Sequence, residues 1–463
     1  MLTNLSFLEK GNLWPPPAEA TRLSDYAENR RLYKGDYDAV FAAHTERVNK
    51  NLSDTAFWTQ LNYFKKVSLK TAGLLWGEPP VFDVTTKGAD TNNDPQYKSL
   101  QRIIRNCNVA EIGRQCTVDI SRYGDGLFLL RRDESKNHGL IDAVSPEIWF
   151  PVVKPDNIKE FLYHVLAWAY TEGEEDYLSV QIHARGTVTA RKYALNGGII
   201  GDLLEENAEV TGLPDFAVIP MSNSSLSDEI YGQSDYEDFQ SVVVELMVRM
   251  TQINKILDKH SSPSMQGPLC ALRKNEQTGE FELHPGDFFP TTGIDPDIPP
   301  AEVSYITWDA ELEANFRQVE ILLGQLYALS EMSAALFGDL QSKVGNVPSG
   351  TALRRTLMAT LDRVKRMRAM QDAAVKKAVT LCSYLGGEEI VPLQSEVSLT
   401  WREGLPSDPK EDAEIIRMRT GGKSTMSLYR TLRTYDSLCD SDAQSEINEI
   451  AGEDLLSSRG EPT

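Results

Sequence analysis

The sequence has few cysteines and none of the arrangements in which cysteine binds metal or forms disulfides. Its cysteines are odd in number and widely spaced, and no C-x-x-C pair occurs. Disulfide frameworks and zinc sites need paired thiols, so we expect buried free thiols instead. The five positions are Cys107, Cys116, Cys270, Cys382 and Cys439.

Long hydrophobic runs are also absent. No stretch approaches the roughly 18 apolar residues that cross a bilayer. The first residues lack the basic start and apolar core of a secretory signal. We therefore expect a protein without a membrane partner that stays in the cytosol of the cell that makes it.

The sequence lacks the signatures of catalysis. Its six histidines have no metal-ligand spacing, and no Gly-x-Ser-x-Gly motif occurs. Residues 421–425 (GGKST) resemble a phosphate-binding loop, but Arg417 stands where that loop needs glycine, and a predicted helix leads into it instead of a strand. We predict no catalytic residue, no cofactor and no metal, and hence no enzyme.

Basic residues are in deficit, with 47 Lys and Arg against 68 Asp and Glu and a net charge of −21. This balance argues against a protein that grips nucleic acid over its whole surface, but not against one past which nucleic acid slides. Residues 350–384 are the exception, at net +6. Two interpretations stay open: a solvated helix face beside acidic neighbours, or a surface that meets an acidic partner.

The first half of the sequence predicts an α+β fold. Residues 1–20 read as a loose arm ending in three prolines, and residues 97–123 read as one helix. From about residue 127 to residue 219, β-rich runs alternate with turn clusters, of which residues 196–198 (Asn-Gly-Gly) are the clearest.

The second half predicts long helices around a small β-rich insert. Apolar residues repeat every seven positions in residues 234–260, which favours helices lying nearly side by side. A β-rich stretch (261–308), a second helix (309–332) and a loop rich in glycine follow. A basic helix from 350 to 384 comes next, with an expected length of about 50 Å. The seven-residue repeat comprises Tyr236, Phe239, Val243, Leu246, Met250, Ile253 and Leu257.

In this order of segments, the chain resembles the portal proteins of tailed bacteriophages, the SPP1-like head-to-tail connectors. The resemblance rests on residues 29–35 (NRRLYKG), on residues 62–82 with their Gly-Glu-Pro after a helix, and on residues 336–338 and 349–354 around the interrupted helix. It continues through the tail from 406 to 453 and so spans nearly the whole chain.

The resemblance implies a ring, usually of twelve subunits, at one vertex of the capsid in the virion, assembled in the host cytoplasm. Double-stranded DNA would pass through it during packaging and ejection. The implied partners are the terminase large subunit, a head-completion or adaptor protein, the major capsid protein and a scaffolding protein. The implied segments are an N-terminal arm (1–20), wing (21–233), stem helices (234–260 and 309–332), clip (261–308), channel loop (333–349), basic wing helix (350–385) and crown (386–463).

Three groups of residues follow as expected sites of this portal-type subunit. Lys343, Gly345 and Asn346 would face DNA in the channel loop, and Arg273 and Lys274 would lie on the docking face of the clip. Packing between subunits would use Phe239, Val243, Leu246, Met250 and Ile253, whereas Phe316 of the second stem helix is left without an assignment. A coiled-coil ring scaffold, or another structural connector of the virion, remains the alternative.

Overall fold

The structure is a computed structural model, and the chain divides into two compact units. The larger contains Met1–Asp36, Asn62–Glu237 and Ser330–Thr463, and the smaller contains Tyr37–Leu61 and Asp238–Leu329. Within them, the structure describes residues 1–36, 59–84, 94–133, 135, 137–223, 226–261, 265–268, 288–290, 302–305, 312–338, 354–387, 390–402, 409–421, 424–436, 438 and 440–458.

The described residues form both helices and strands, which confirms the mixed helix-and-sheet class expected from the sequence. The helices are α1 (Ala20–Lys34), α2 (Tyr63–Trp76), α3 (Pro95–Cys107), α4 (Val109–Tyr123), α5 (Tyr236–Ser261), α6 (Leu312–Leu329), α7 (Met358–Cys382), α8 (Pro409–Thr420), α9 (Leu428–Thr434) and α10 (Asp440–Ser458). The strands are β1 (Val81–Val84), β2 (Asp125–Asp133), β3 (His138–Val144), β4 (Trp149–Lys154), β5 (Asn157–Glu172), β6 (Glu175–Ala184), β7 (Thr187–Asn196), β8 (Ile199–Val210), β9 (Val218–Ser222), β10 (Met265–Gly267), β11 (Phe288–Pro290), β12 (Ser304–Tyr305) and β13 (Val397–Thr400).

The single helix predicted over residues 97–123 is wrong. Asn108 adopts a left-handed conformation, with φ of 49°, and separates α3 from α4. Asparagine tolerates this conformation better than most residues, because its short polar side chain can bond locally. The start of α3 follows ordinary capping rules, since Asp94 accepts a hydrogen bond from the Gln96 amide and Pro95 occupies the first turn.

A five-stranded antiparallel sheet, in the order β4-β5-β6-β7-β8, forms one part of the larger unit. The predicted turn at residues 196–198 is confirmed. Gly197 and Gly198 have φ values of 58° and 81° and join β7 to β8 in a two-residue hairpin. Most residues of β8 are exposed, among them the apolar Leu203, Leu204 and Val210, so this strand shows no alternation of buried apolar and exposed polar residues.

The N-terminal arm is not loose. Leu2 bridges Val152 in β4, and Leu13 bridges Ile199 in β8, so residues 2–13 run from one edge strand of the five-stranded sheet to the other. Leu8 is only 2% exposed and packs in the same apolar cluster as the sheet. Hydrophobic contacts therefore hold this segment against the five-stranded sheet, although its prolines had suggested a loose arm.

The main core of the larger unit lies around the three-stranded sheet β3-β2-β9. Helices α2, α3, α4 and α7 each contribute buried apolar side chains to this core, and β1 pairs with β13 beside it. Val364, Val375 and Val379 of α7 are at most 1% exposed. Helix α7 is thus a core helix with one apolar face.

Helix α7 is shorter than the sequence predicted. It spans 25 residues, which corresponds to about 37 Å. A turn at Leu357 separates it from a short helical piece at 354–356. No glycine or proline marks this break, so composition alone does not reveal it.

The smaller unit contains most of α5, all of α6 and a three-stranded sheet. The strand order of this sheet is β11-β10-β12. Phe239, Val243, Leu246 and Ile253 of α5 are at most 2% exposed in the single chain, and Met250 is half-buried. Packing between subunits is therefore not needed to remove these side chains from water. On α6, Phe316 is 48% exposed, whereas Leu326 is fully buried.

Candidate functional site

A buried polar cluster lies where the chain passes between the two units, and all of its members belong to the larger unit. The chain leaves the larger unit after Glu237, at the start of α5, and returns to it at Ser330, after α6. The first half of α7 bonds to both of these points. We call this cluster the clasp; it consists of Ser68, Ser121, Asn223, Asp235, Tyr236, Ser330, Thr360 and Arg363.

Asp235 and Arg363 form the central ion pair of the clasp. Arg363 Nη2 donates to Asp235 Oδ2, and the two side chains are 8% and 5% exposed. Asp235 also accepts hydrogen bonds from Ser121 Oγ at 2.5 Å and from Asn223 Nδ2 at 3.0 Å. A buried carboxylate needs several such donors, because burial removes it from water.

The segment by which the chain returns to the larger unit forms hydrogen bonds with the same face of α7. Arg363 Nη1 donates to the Ser330 carbonyl at 3.3 Å. Thr360 Oγ1 donates to the Glu331 carbonyl at 3.1 Å and accepts from the Ser333 amide at 2.9 Å. One arginine therefore bonds to both points at which the chain crosses between the units.

A row of hydroxyl groups extends the clasp into the core. Tyr236 Oη lies 2.7 Å from Ser68 Oγ, which lies 2.9 Å from Ser121 Oγ. Since Ser121 donates to Asp235, the row is satisfied when Tyr236 donates to Ser68 and Ser68 donates to Ser121. Burial raises the pKa of Tyr236, so its proton stays available for this row.

The basic residues of α7 are bonded within the larger unit. This finding favours the first interpretation of the +6 segment, in which the basic face lies beside acidic neighbours. Lys376 pairs with Asp372 at 2.7 Å, and Lys377 pairs with Asp215 at 2.6 Å. The other described partners are Asp235 for Arg363, Asp362 for Lys365, Glu331 for Arg366, and the carbonyls of Leu74 and Arg402 for Arg368.

Sequence reasoning missed the clasp, although one signal for it was present. Ser234 and Glu237 form a capping box at the start of α5: the Tyr236 amide donates to Ser234 Oγ at 3.1 Å, and the Ser234 amide donates to Glu237 Oε1 at 3.4 Å. Asp235 lies inside this box. Its partner Arg363 is distant in sequence, and no local pattern connects the two.

The expected DNA-facing and docking residues lie outside the described residues. These are Lys343, Gly345 and Asn346 of the channel loop and Arg273 and Lys274 of the clip. In the part of the chain that the structure describes, no group of three or more His, Cys, Asp or Glu side chains is placed to hold a metal ion. No described helix has the length and apolar character to span a bilayer.

Comparison with known proteins decides the family. Residues 16–261, a little over half of the chain, match the family described as "Phage portal protein, SPP1 Gp6-like". The chain belongs to this portal family. Portal proteins are structural components of the virion and not enzymes, which agrees with the absence of catalytic signatures in the sequence. No curated protein matches the chain.

The solved structures similar to the portal chain include two from particles called gene transfer agents. One chain is from the neck of an empty particle computed with C6 symmetry, at 13% identity and a TM-score of 0.46, covering 81% of this chain and 88% of that one. The other is from the native virion, at 13% identity and a TM-score of 0.39, covering 80% of this chain and 99% of that one.

Proposed function

We propose that this portal chain assembles into a ring of twelve subunits at one vertex of a phage head, through which double-stranded DNA is packaged and ejected. Membership of the portal family is the observation that carries the proposal. The net charge of −21 also supports it, because an acidic channel wall repels phosphate and lets DNA slide.

In this proposal, α5 and α6 belong to the stem, residues 261–308 form the clip, and residues 333–349 form the channel loop. The larger unit supplies the wing, with α7, and the crown from residue 386 onward. The terminase large subunit docks at the clip, through a face that includes Arg273 and Lys274, and a head-completion protein later replaces it. The ring contacts the major capsid protein and a scaffolding protein in the head, after assembly in the host cytoplasm.

The clasp has a clear task in such a subunit. DNA sliding through a ring pushes on the stem and on the channel loop, and these forces reach the wing through the chain crossings beside Asp235 and Ser330. Because Arg363 bonds to both crossings, it holds the start of α5 and the end of the α6 segment at a fixed separation.

The mass of the purified chain in solution tests the ring. We expect light scattering to give a mass near twelve times the 51.7 kDa of one chain, and negative-stain images to show a closed ring with a central pore. A monomer or dimer across a range of salt and protein concentrations would contradict the proposal.

Lys343 tests the passage of DNA. Residues 309–349 contain two basic residues, Arg317 and Lys343, and a ring of Lys343 ammonium groups would offer weak, exchangeable contacts to phosphate. We expect Lys343→Glu to assemble normally but to leave less DNA in filled heads, measured as DNA per particle. The defect should shrink at high salt, because counterions compete for phosphate.

The control for this experiment must be a lysine without a structural role. Lys159 is unsuitable, because its Nζ donates to the carbonyls of Leu226 and Glu229 and so holds that loop. Lys66 is exposed on α2 and suits the purpose. Equal DNA content in Lys343→Glu, Lys66→Glu and the unchanged protein would show that Lys343 does not contact DNA during packaging.

A further inference from the structure

Two cysteines that are far apart in sequence meet in the core of the larger unit. Cys107 is the last residue of α3 and Cys382 is the last residue of α7, and their sulfur atoms lie 3.9 Å apart. Both thiols are free, and the residues are 4% and 1% exposed. A disulfide needs a sulfur separation of about 2.05 Å, so a shift of about 1 Å by each sulfur atom closes the gap.

A glycine makes room for this pair. The Cys107 thiol donates to the Gly139 carbonyl of β3 at 3.6 Å. A Cβ atom added to Gly139 would lie 2.8 Å from the Cys382 sulfur and 2.8 Å from the Cys382 carbonyl oxygen. Any larger residue at this position would push Cys382, so the absence of a side chain at Gly139 keeps the two thiols in contact.

We propose that Cys107 and Cys382 are an oxidisable pair that closes into a disulfide when the protein meets a peroxide. A virion leaves a reducing cytosol for oxidising surroundings, where disulfides persist. The pair would therefore be open while the subunit folds and closed after release, linking the ends of α3 and α7. The inference rests on the geometry of the two thiols and not on the proposed passage of DNA.

The chemistry takes two steps. The Cys107 sulfur attacks one oxygen of hydrogen peroxide, the O–O bond breaks, and water leaves, so that Cys107 becomes a sulfenic acid. The Cys382 sulfur then attacks the Cys107 sulfur, and the hydroxyl leaves as water with the Cys382 proton. Two thiols lose two electrons in total, and one peroxide is reduced to two waters. The hydrogen bond from Cys382 lowers the pKa of Cys107, which makes Cys107 the first nucleophile.

Cys116 provides a matched control within the same core. It is a free thiol, 1% exposed, and burial raises its pKa. Cys116, Cys107 and Cys382 are therefore all buried, but of these three only Cys107 and Cys382 are in contact with a second sulfur atom. General oxidation of buried thiols would affect all three residues alike.

The test is thiol mapping of the purified full-length chain after treatment with hydrogen peroxide. Free thiols are then blocked with N-ethylmaleimide in denaturant, and the digest is analysed by mass spectrometry without reduction. We expect a cross-linked peptide joining Cys107 to Cys382, in the unchanged protein and in Cys116→Ser alike. In Cys107→Ser, this peptide should be absent and Cys382 should remain open to N-ethylmaleimide.

A second readout separates a disulfide in the fold from one formed after unfolding. The oxidised chain should unfold at higher urea concentration than the reduced chain, and dithiothreitol should reverse the increase. Cys107→Ser should show no such difference. The proposal is overturned if peroxide leaves both thiols free, if it produces sulfinic acids without the cross-link, or if Cys107 joins other cysteines as often as Cys382.

Discussion

Replacing Arg363 with methionine is expected to lower the free energy of unfolding by about 3–5 kcal/mol. The change removes the cation of a buried ion pair, and the described donors that remain for the carboxylate of Asp235 are the neutral Ser121 and Asn223. It also removes the donor to the Ser330 carbonyl. Urea unfolding of the purified variant, followed by circular dichroism, measures the loss.

Arg366 offers the matched control three residues along the same helix. It also pairs with a carboxylate, that of Glu331, but its side chain is 63% exposed. Exposed pairs contribute about 0–1 kcal/mol, so Arg366→Met should unfold close to the unchanged protein. If the two variants lose equal stability, the clasp does not hold the larger unit together. Asp235→Asn combined with Arg363→Met should recover part of the loss, since no buried charge then remains unpaired.

Acid is expected to destabilise the five-stranded sheet through two histidines. His164 and His183 lie opposite each other on β5 and β6 and are at most 3% exposed. Burial lowers the pKa of His164 to about 3 and that of His183 to about 4, from an ordinary value of 6.5. For His164, the neighbouring His183 and the charge of Lys377 lower the pKa further, while Asp215 opposes this effect.

The sign of the effect follows from these shifts. The folded state keeps both imidazoles neutral, whereas the unfolded chain binds protons below pH 6.5. The stabilisation is therefore present above that pH and is lost as the pH falls toward the folded values, at about 1.4 kcal/mol per pH unit for each histidine. Urea midpoints between pH 7 and pH 4.5 should show this fall.

His183→Leu removes one of the two imidazoles. Neither ring nitrogen of His183 has a hydrogen-bond partner in the described part of the chain, so its loss leaves no buried partner unsatisfied. We expect the variant to unfold at neutral pH much like the unchanged protein, and to lose stability with acid by about 1.4 kcal/mol per pH unit less. An unchanged slope would show that His183 does not stay neutral in the fold.

Short sequence motifs correctly predicted turns and helix ends, because neighbouring residues determine these features. The two glycines after Asn196 predicted a hairpin turn, and the helix noted before Gly-Glu-Pro in residues 62–82 is α2, which ends at Trp76. Asn108 shows the limit of this approach, because asparagine occurs in helices as well as in left-handed breaks, and only the packing of α3 and α4 decides between them.

Long-range packing explains what the sequence did not reveal. The prolines near residue 16 suggested a loose arm. The apolar side chains of Leu2 and Leu8 instead pack on a sheet whose strands lie more than a hundred residues later in the sequence. The charge of residues 350–384 suggested an outer surface, although the acids that bond to Lys377 and Arg363 stand more than a hundred positions away. For the candidate site, the sequence predicted that a helix starts near Ser234. It did not predict that Arg363 bonds to Asp235 at that helix start.

The N-terminal segment that crosses the five-stranded sheet has a consequence for synthesis of the chain. Leu13 is made early, but its partner Ile199 in β8 emerges from the ribosome only after the whole intervening chain. At about 5–20 residues per second, this delay is on the order of 10–40 s. Until then, Leu8 and Trp14 lack the complete sheet on which they finally pack. The segment around Leu8 is thus exposed apolar sequence that a chaperone can bind until β8 has been made.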